Sequence, residues 1–278
     1  MPFVQQAHHR LHYQVFGRPD APPLLLIMGL GMCSEAWHTL PERLAGRFRV
    51  IVFDNRGTGE SSAPRGGFRI RDLADDAARV LDAEGLRQAF VFGISMGGMI
   101  AQELVLRHPE RVCALALGAT FGGHRRSHKP KLSAARDLLL VSLFSRRPGR
   151  MARLLVSDEF FARHPEHFAL WLARLSRPRR STARRQIVAI ALHEAERRLP
   201  QVRVPTLVIS GDRDRLVPVE NSRRLAQVIP GARLVELPGA GHAFPFEQAE
   251  ETVRVLAEHF LASARPGPGP SRRQLRGR

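Results

Sequence analysis

Cysteine is scarce in this 278-residue chain: Cys33 and Cys113 are the only two, in segments that read as different elements. That argues against a disulfide framework and fits a reducing, cytoplasmic setting. No run approaches the roughly 18 consecutive apolar residues of a membrane span. The start, Met-Pro-Phe-Val-Gln-Gln, lacks a basic stretch followed by an apolar one, so no secretory signal is expected. Neither Cys-x-x-Cys nor His-Glu-x-x-His occurs, and nothing calls for a metal or another cofactor. Aromatic residues make up 6% of the chain, too thinly interleaved with basic ones to suggest specific nucleic-acid reading.

Charge of one sign is abundant instead. The formal net charge is +17, nearly all of it from arginine, and it is localised. Residues 124–200 hold 18 Lys/Arg against 6 Asp/Glu, and residues 264–278 add five Arg and no acid. The remainder is neutral. A solvated helical surface is one reading of this excess; attraction of an anionic substrate is the other.

The chain is long enough for one sizeable domain with an insertion, or for two small ones. Residues 24–28, 49–53, 90–93 and 112–117 read as buried strands, separated by helical patterns over 34–45, 70–84 and 96–107. Residues 124–200 show no convincing strand. Their Leu/Ala/Arg spacing, broken at Pro148, Pro165 and Pro178, suggests three or four short helices. Alternation then resumes with strands at 206–210 and 233–236, a helix over 219–228, and a last helix ending near 262. This pattern is α/β, with a mostly parallel sheet covered on both faces. The boundaries follow: core at 1–123 and 201–263, and a helical cap at 124–200 inserted before the last two strands. A basic Pro/Gly tail, 264–278, is expected to be disordered.

Chemistry concentrates at three strand ends. Gly93-Ile94-Ser95-Met96-Gly97 lies where a strand stops and a helix starts, the geometry of an exposed nucleophilic serine. Serine needs a base. Of twelve histidines, His242 in Gly239-Ala240-Gly241-His242 follows the last strand, on the sheet edge that Ser95 occupies; His8, His9, His124, His128 and His193 lack such a context. An acid must orient the imidazole, and Asp212 or Asp214 could do so from the loop after residues 206–210. Oxyanion donors should come from the N–H after the nucleophile, Met96, and from the glycine-rich loop Met28-Gly29-Leu30-Gly31-Met32, through Leu30.

These motifs, in this order, resemble the α/β-hydrolase superfamily over essentially residues 10–262. Asp54-Asn55-Arg56-Gly57-Thr58-Gly59-Glu60-Ser61 is similar to a structural turn common in that family. The family's Gly-x-x-Asp-x-x-x-Pro pattern falls on Gly211, Asp214 and Pro218, so the resemblance implies Asp214 as the acid. The stretch from Ser95 to Gln102 is similar to small esterases, 3-oxoadipate enol-lactonases and cofactor-free haloperoxidase-like enzymes. Met28-Gly29 departs from the His-Gly of many relatives, which puts the packing of that loop in question while leaving the Leu30 N–H in place. Serine at the elbow argues against the carboxylate-nucleophile dehalogenases and epoxide hydrolases.

The resemblance implies a serine hydrolase cleaving a small-molecule ester, lactone or thioester through an acyl-enzyme on Ser95. Asp214 and His242 complete the triad, Leu30 and Met96 hold the oxyanion, and Phe121 and Phe244 line the substrate pocket. Core packing is the competing role for both phenylalanines. A carbon–carbon hydrolase, lyase or biosynthetic cyclase on the same fold is the alternative catalyst. A basic binding module with an idle triad is the non-enzymatic one. Oligomeric state is not legible.

Overall fold

The computed structural model describes residues 2–5, 9–63, 66–130, 132–134, 148–175 and 180–264. Strands β1 (Phe3–Gln5), β2 (Arg10–Phe16), β3 (Pro23–Ile27), β4 (Arg49–Phe53), β5 (Ala89–Ile94), β6 (Val112–Gly118), β7 (Thr206–Gly211) and β8 (Arg233–Leu237) form one eight-stranded sheet. Their spatial order is β1-β2-β4-β3-β5-β6-β7-β8. β1 and β2 pair antiparallel with each other, and β2 antiparallel with β4; all later neighbours are parallel. The α/β architecture expected from the alternating pattern is therefore the one observed.

The sheet has two buried faces because successive side chains of a strand point to opposite sides. Leu24, Leu26, Val50, Val52, Phe90 and Phe92 belong to one core, with residues of α1 (Leu40–Leu44) and α10 (Ala249–Ala264). Leu25, Ile27, Ile51, Phe53, Val91 and Leu115 belong to the other, with α2 (Ile70–Ala83), α3 (Met96–Arg107) and α8 (Glu220–Val228). Strands buried on both faces read as continuous apolar runs, which is why β3, β4, β5 and β6 were visible as such.

Four elements differ from expectation. The helix expected over 34–45 is a 3-10 turn, Ser34–Trp37, and then α1, because His38 between them takes φ 55°. The last helix is two pieces, α9 (Phe244–Glu247) and α10, divided at Gln248. β1 and β2 were not anticipated. β2 reads Arg-Leu-His-Tyr-Gln-Val-Phe, a polar/apolar alternation that does signal a strand, although its burial does not follow that alternation.

Between β6 and β7 come α4 (Pro148–Leu155), α5 (Asp158–Arg163), α6 (Pro165–Arg174) and α7 (Arg180–Ala191). Pro148 and Pro165 open helices instead of breaking them, since the first helical position needs no N–H donor; Pro178 lies outside the described residues. Trp171 on α6 stacks on Phe246 of α9 with ring centres 4.5 Å apart, and its indole N–H donates to the Ala36 carbonyl. The inserted helices thus share an apolar core with the sheet domain. The basic tail expected at 264–278 lies outside the described residues apart from Ala264. Among the described residues, no helix is long and apolar enough to cross a membrane.

Candidate functional site

The chain leaves β3 towards β4 on one side and reaches β5 on the other. Such a switch point opens a crevice at the carboxyl ends of those strands. The loop after β3 and the turn after β5 both lie there.

Ser95 is that turn. It has φ 57° and ψ −122°, a sparsely populated conformation for a residue with a side chain. Two hydrogen bonds hold it: its N–H donates to the Gly118 carbonyl at 2.8 Å, and Thr120 Oγ1 donates to its carbonyl at 2.7 Å. Gly97 makes the turn feasible, since a Cβ there would collide with the Ile27 carbonyl oxygen. Gly29, from the loop after β3, comes so close that a Cβ would stand 3.6 Å from Ser95 Oγ. A side chain at Gly29 would therefore crowd Ser95, its Cβ standing 3.1 Å from that of the serine.

His242 and Asp214 are also brought together. His242 Nδ1 lies 2.7 Å from Asp214 Oδ2, and both side chains are buried. Asp214 Oδ1 accepts from the Leu216 and Val217 N–H groups, each at 2.8 Å. A carboxylate facing Nδ1 places the proton on that nitrogen and leaves Nε2 as the basic lone pair. Asp212 serves elsewhere: its Oδ1 accepts from Gly239 N–H at 2.7 Å. Geometry, independently of any resemblance, thus separates the two aspartates.

The candidate oxyanion donors lie on two segments, the start of α3 and the loop after β3. Met96 is the first residue of α3, so its N–H has no acceptor within the helix. Leu30 is half-buried in a loop pinned from several directions. Asn55 Nδ2 donates to the Met28 carbonyl at 2.9 Å, Ser34 N–H donates to Asp54 Oδ1 at 2.7 Å, and Gly31 N–H donates to Gln186 Oε1 at 2.8 Å. The turn starting at Asp54, read from sequence as structural only, is what fastens this loop. Met28 is itself buried in the core.

The two phenylalanines diverge. Phe121 is half-buried in the segment just beyond β6, with its carbonyl accepting from Gln102 Nε2. Phe244 has 0% exposure and packs against Phe92 and the Gly118 backbone. The expectation that Phe244 lines the pocket is corrected: a ring with no accessible surface is a core residue beneath the site.

Glu247 was not legible beforehand. Its carboxylate accepts from Gly241 N–H at 2.8 Å, one residue before His242, and from the hydroxyl and N–H of Ser157 at the start of α5. Burial raises its pKa above the usual carboxylate range, against the lowering effect of those donors. Ala243 N–H also donates to the Leu155 carbonyl, so the inserted helices press directly on the histidine loop. A groove of about 490 Å³ lined by His38, Phe160, His164, His167 and Phe246 includes none of Ser95, Asp214 and His242.

Arg153, Arg174, Arg180 and Arg184 are exposed, while Arg126, Arg163 and Arg198 pair with Glu196, Glu159 and Glu103. Among the described residues, no group of three or more His, Cys, Asp or Glu side chains could hold a metal ion.

A family model described as "Alpha/beta hydrolase family" matches residues 24–255. The candidate carbamate hydrolase RutD of Azorhizobium caulinodans is 33% identical over 255 residues, covering 88% of this chain and 92% of its own. Among solved structures, an enol-lactonase from Burkholderia xenovorans is 26% identical with a TM-score of 0.83, covering 94% of this chain and 100% of its own. A thermophilic esterase from Thermogutta terrifontis is 27% identical with a TM-score of 0.80, covering 95% and 99%.

Proposed function

The chain belongs to the alpha/beta hydrolase family, and we propose that within it this protein is a serine hydrolase cleaving small-molecule esters, lactones or thioesters. The observation that carries the reading is the buried Asp214–His242 pair at 2.7 Å, on the same sheet edge as the strained Ser95.

In this mechanism His242 Nε2 takes the Ser95 hydroxyl proton as Oγ attacks the substrate carbonyl. Asp214 holds the imidazole by its Nδ1–H and stabilises the imidazolium that forms. The Leu30 and Met96 N–H groups receive the negative charge that develops on the carbonyl oxygen, each contributing about 10²–10³ in rate. The imidazolium then protonates the leaving alcohol or thiol, and the C–O or C–S bond breaks. Water, deprotonated by His242, attacks the acyl-enzyme and returns Ser95 with its proton. Phe121 remains the candidate for an apolar contact with the substrate. Residues 124–200 would form the cap over it.

A fluorophosphonate probe should label the wild type at Ser95, seen by peptide mass, and Ser95→Ala should lose both labelling and aryl-ester turnover. A Ser95→Ala variant with full turnover would overturn the assignment. A panel of neutral and acidic esters, lactones and thioesters then ranks substrates; equal rates for neutral and acidic members, insensitive to salt, would remove any role for the arginines in recognition. The RutD relative favours one second reading, hydrolysis of a carbamate by the same steps. Turnover of an aryl carbamate at rates comparable with its ester counterpart would support it, and a stalled carbamoyl-enzyme would count against it.

A further inference from the structure

Two histidines meet across the boundary between the sheet domain and the inserted helices. His38 belongs to the sheet domain, between the 3-10 turn Ser34–Trp37 and α1, and His167 lies in the first turn of α6. Their Nε2 atoms are 3.4 Å apart while the ring centres stand 5.5 Å apart, so the two Nε2 corners face each other. For a hydrogen bond this is long, since N–H donors normally sit about 2.7–3.2 Å from their acceptors. It is the spacing of two ligands on one ion. Tetrahedral zinc holds imidazole nitrogens at about 2.0–2.1 Å, which sets two such nitrogens about 3.3–3.4 Å apart.

Two further observations mark the place. His38 takes φ 55° and ψ −121°, a sparsely populated conformation for a residue with a side chain. Among the described residues only Ser95 and Ala119 share its positive φ without being glycine; such backbone collects at binding and catalytic sites. Both histidine rings also rest on Phe246, with centres 5.4 and 5.0 Å away, and both line the groove of about 490 Å³, which gives an ion and its waters access. The surrounding charges admit a cation without gripping it hard: Glu42 favours positive charge at His38, while Arg43 and Arg174 oppose it. No cluster of three or more such ligands occurs among the described residues, so water would complete the ion's shell. Imidazole suits Zn²⁺, Ni²⁺ or Cu²⁺, whereas Mg²⁺ and Ca²⁺ take oxygen.

We propose that His38 and His167 form a binding site for a transition-metal dication, zinc first, which ties the inserted helices to the sheet domain. The groove holding the pair includes none of Ser95, Asp214 and His242. The site therefore stands or falls independently of the serine-hydrolase reading.

Zinc chloride alone is the probe, titrated calorimetrically into the full chain after EDTA treatment and removal, in a non-chelating buffer. One ion per chain should bind with micromolar affinity. His38→Gln and His167→Gln should each weaken it at least about tenfold, since even an outer-shell partner is worth about 10- to 100-fold. His164→Gln, in the same groove but outside the pair, should stay within about twofold. Zinc at about a hundred times its Kd should raise the Tm of the wild type by about 5 °C, and that of His167→Gln far less. Undiminished affinity in either pair variant, or a loss in His164→Gln equal to that in His167→Gln, puts the ion elsewhere and overturns the site. An ion that binds at the pair without raising Tm overturns the tie between the two parts. If the variants do not fold, diethyl pyrocarbonate carries the test on the wild type. Zinc should then slow modification of His38 and His167, read by peptide mass, more than that of His164; equal rates with and without zinc overturn the site. So does a wild type that takes up no zinc at millimolar concentration.

Discussion

Asp214 and Asp212 stand two residues apart on one loop, and only one can orient the imidazole. Asp214 Oδ2 faces His242 while Asp212 Oδ1 is engaged by Gly239. Replacing Asp214 by Asn puts an NH₂ or a neutral oxygen opposite Nδ1 and removes the charge that fixes the tautomer. We expect Asp214→Asn to lower kcat on an aryl ester by about 10³–10⁴. Asp212→Asn should stay within about threefold, because its exposed contact to the Gly239 N–H survives the change. Comparable losses in both variants would show that the pair is not the working one. Ser95 and His242 were legible because each is flagged by its own neighbours, a glycine-flanked elbow and a glycine-rich loop after a strand. The choice between the aspartates was not readable from local pattern, since both fit a turn; it took the family's spacing or the geometry of the folded chain. Phe244 shows the opposite failure: proximity in sequence to His242 suggested substrate contact, yet its ring points into the core.

Among elements, the loop after β3 depends on residues far away in sequence. Its shape is set by Asn55 from the turn after β4 and by Gln186 from α7. Nothing in Met28-Gly29-Leu30-Gly31-Met32 announces these partners, which is why sequence located the loop but not its supports. Asn55→Ala should free the Met28 carbonyl and let the Leu30 N–H drift from its position. The expected signature is a fall in kcat of about tenfold with KM little changed, together with about 1–2 kcal/mol of lost stability from the unpaired carbonyl. Steady-state kinetics beside denaturant titration separate the two effects; a rise in KM at constant kcat would contradict the role given to the loop. The apolar strands were legible for a related reason, in reverse: burial on both faces is written in the strand itself. β2 was legible too, through the polar/apolar alternation of Arg10 to Val15, but that signal differs from the continuous apolar runs by which the central strands stand out.

For the molecule as a whole, the inserted helices meet the sheet domain through a second buried cluster. His193, just beyond α7, lies 3.2 Å by Nε2 from Gln102 Oε1 on α3. Gln102 Nε2 donates to the Phe121 carbonyl, so its oxygen accepts and His193 carries the Nε2 proton. Burial depresses the His193 pKa from 6.5 to about 4, despite the neighbouring Glu103 carboxylate. Between those values the unfolded chain binds a proton that the folded one does not, so stability rises with pH across this window and falls on acidification. By pH 4 the loss from this group is about 3 kcal/mol. His193→Gln keeps a donor for Gln102 without a titrating ring, and its denaturant-derived stability should fall less steeply between pH 6.5 and 4.5. Parallel profiles for the two proteins would exclude His193 as the source.

The carboxylate of Glu247 joins Ser157, at the head of α5, to Gly241, beside the catalytic-base candidate. One carboxylate thus ties the inserted helices to the loop that carries His242. Lifting the inserted helices would withdraw Ser157 from Glu247 and the Leu155 carbonyl from Ala243, loosening the loop that aims His242. Were the inserted helices the cover proposed above, this arrangement would act as an interlock: the histidine loop would be aligned while the cover is shut and out of alignment when it stands open to water.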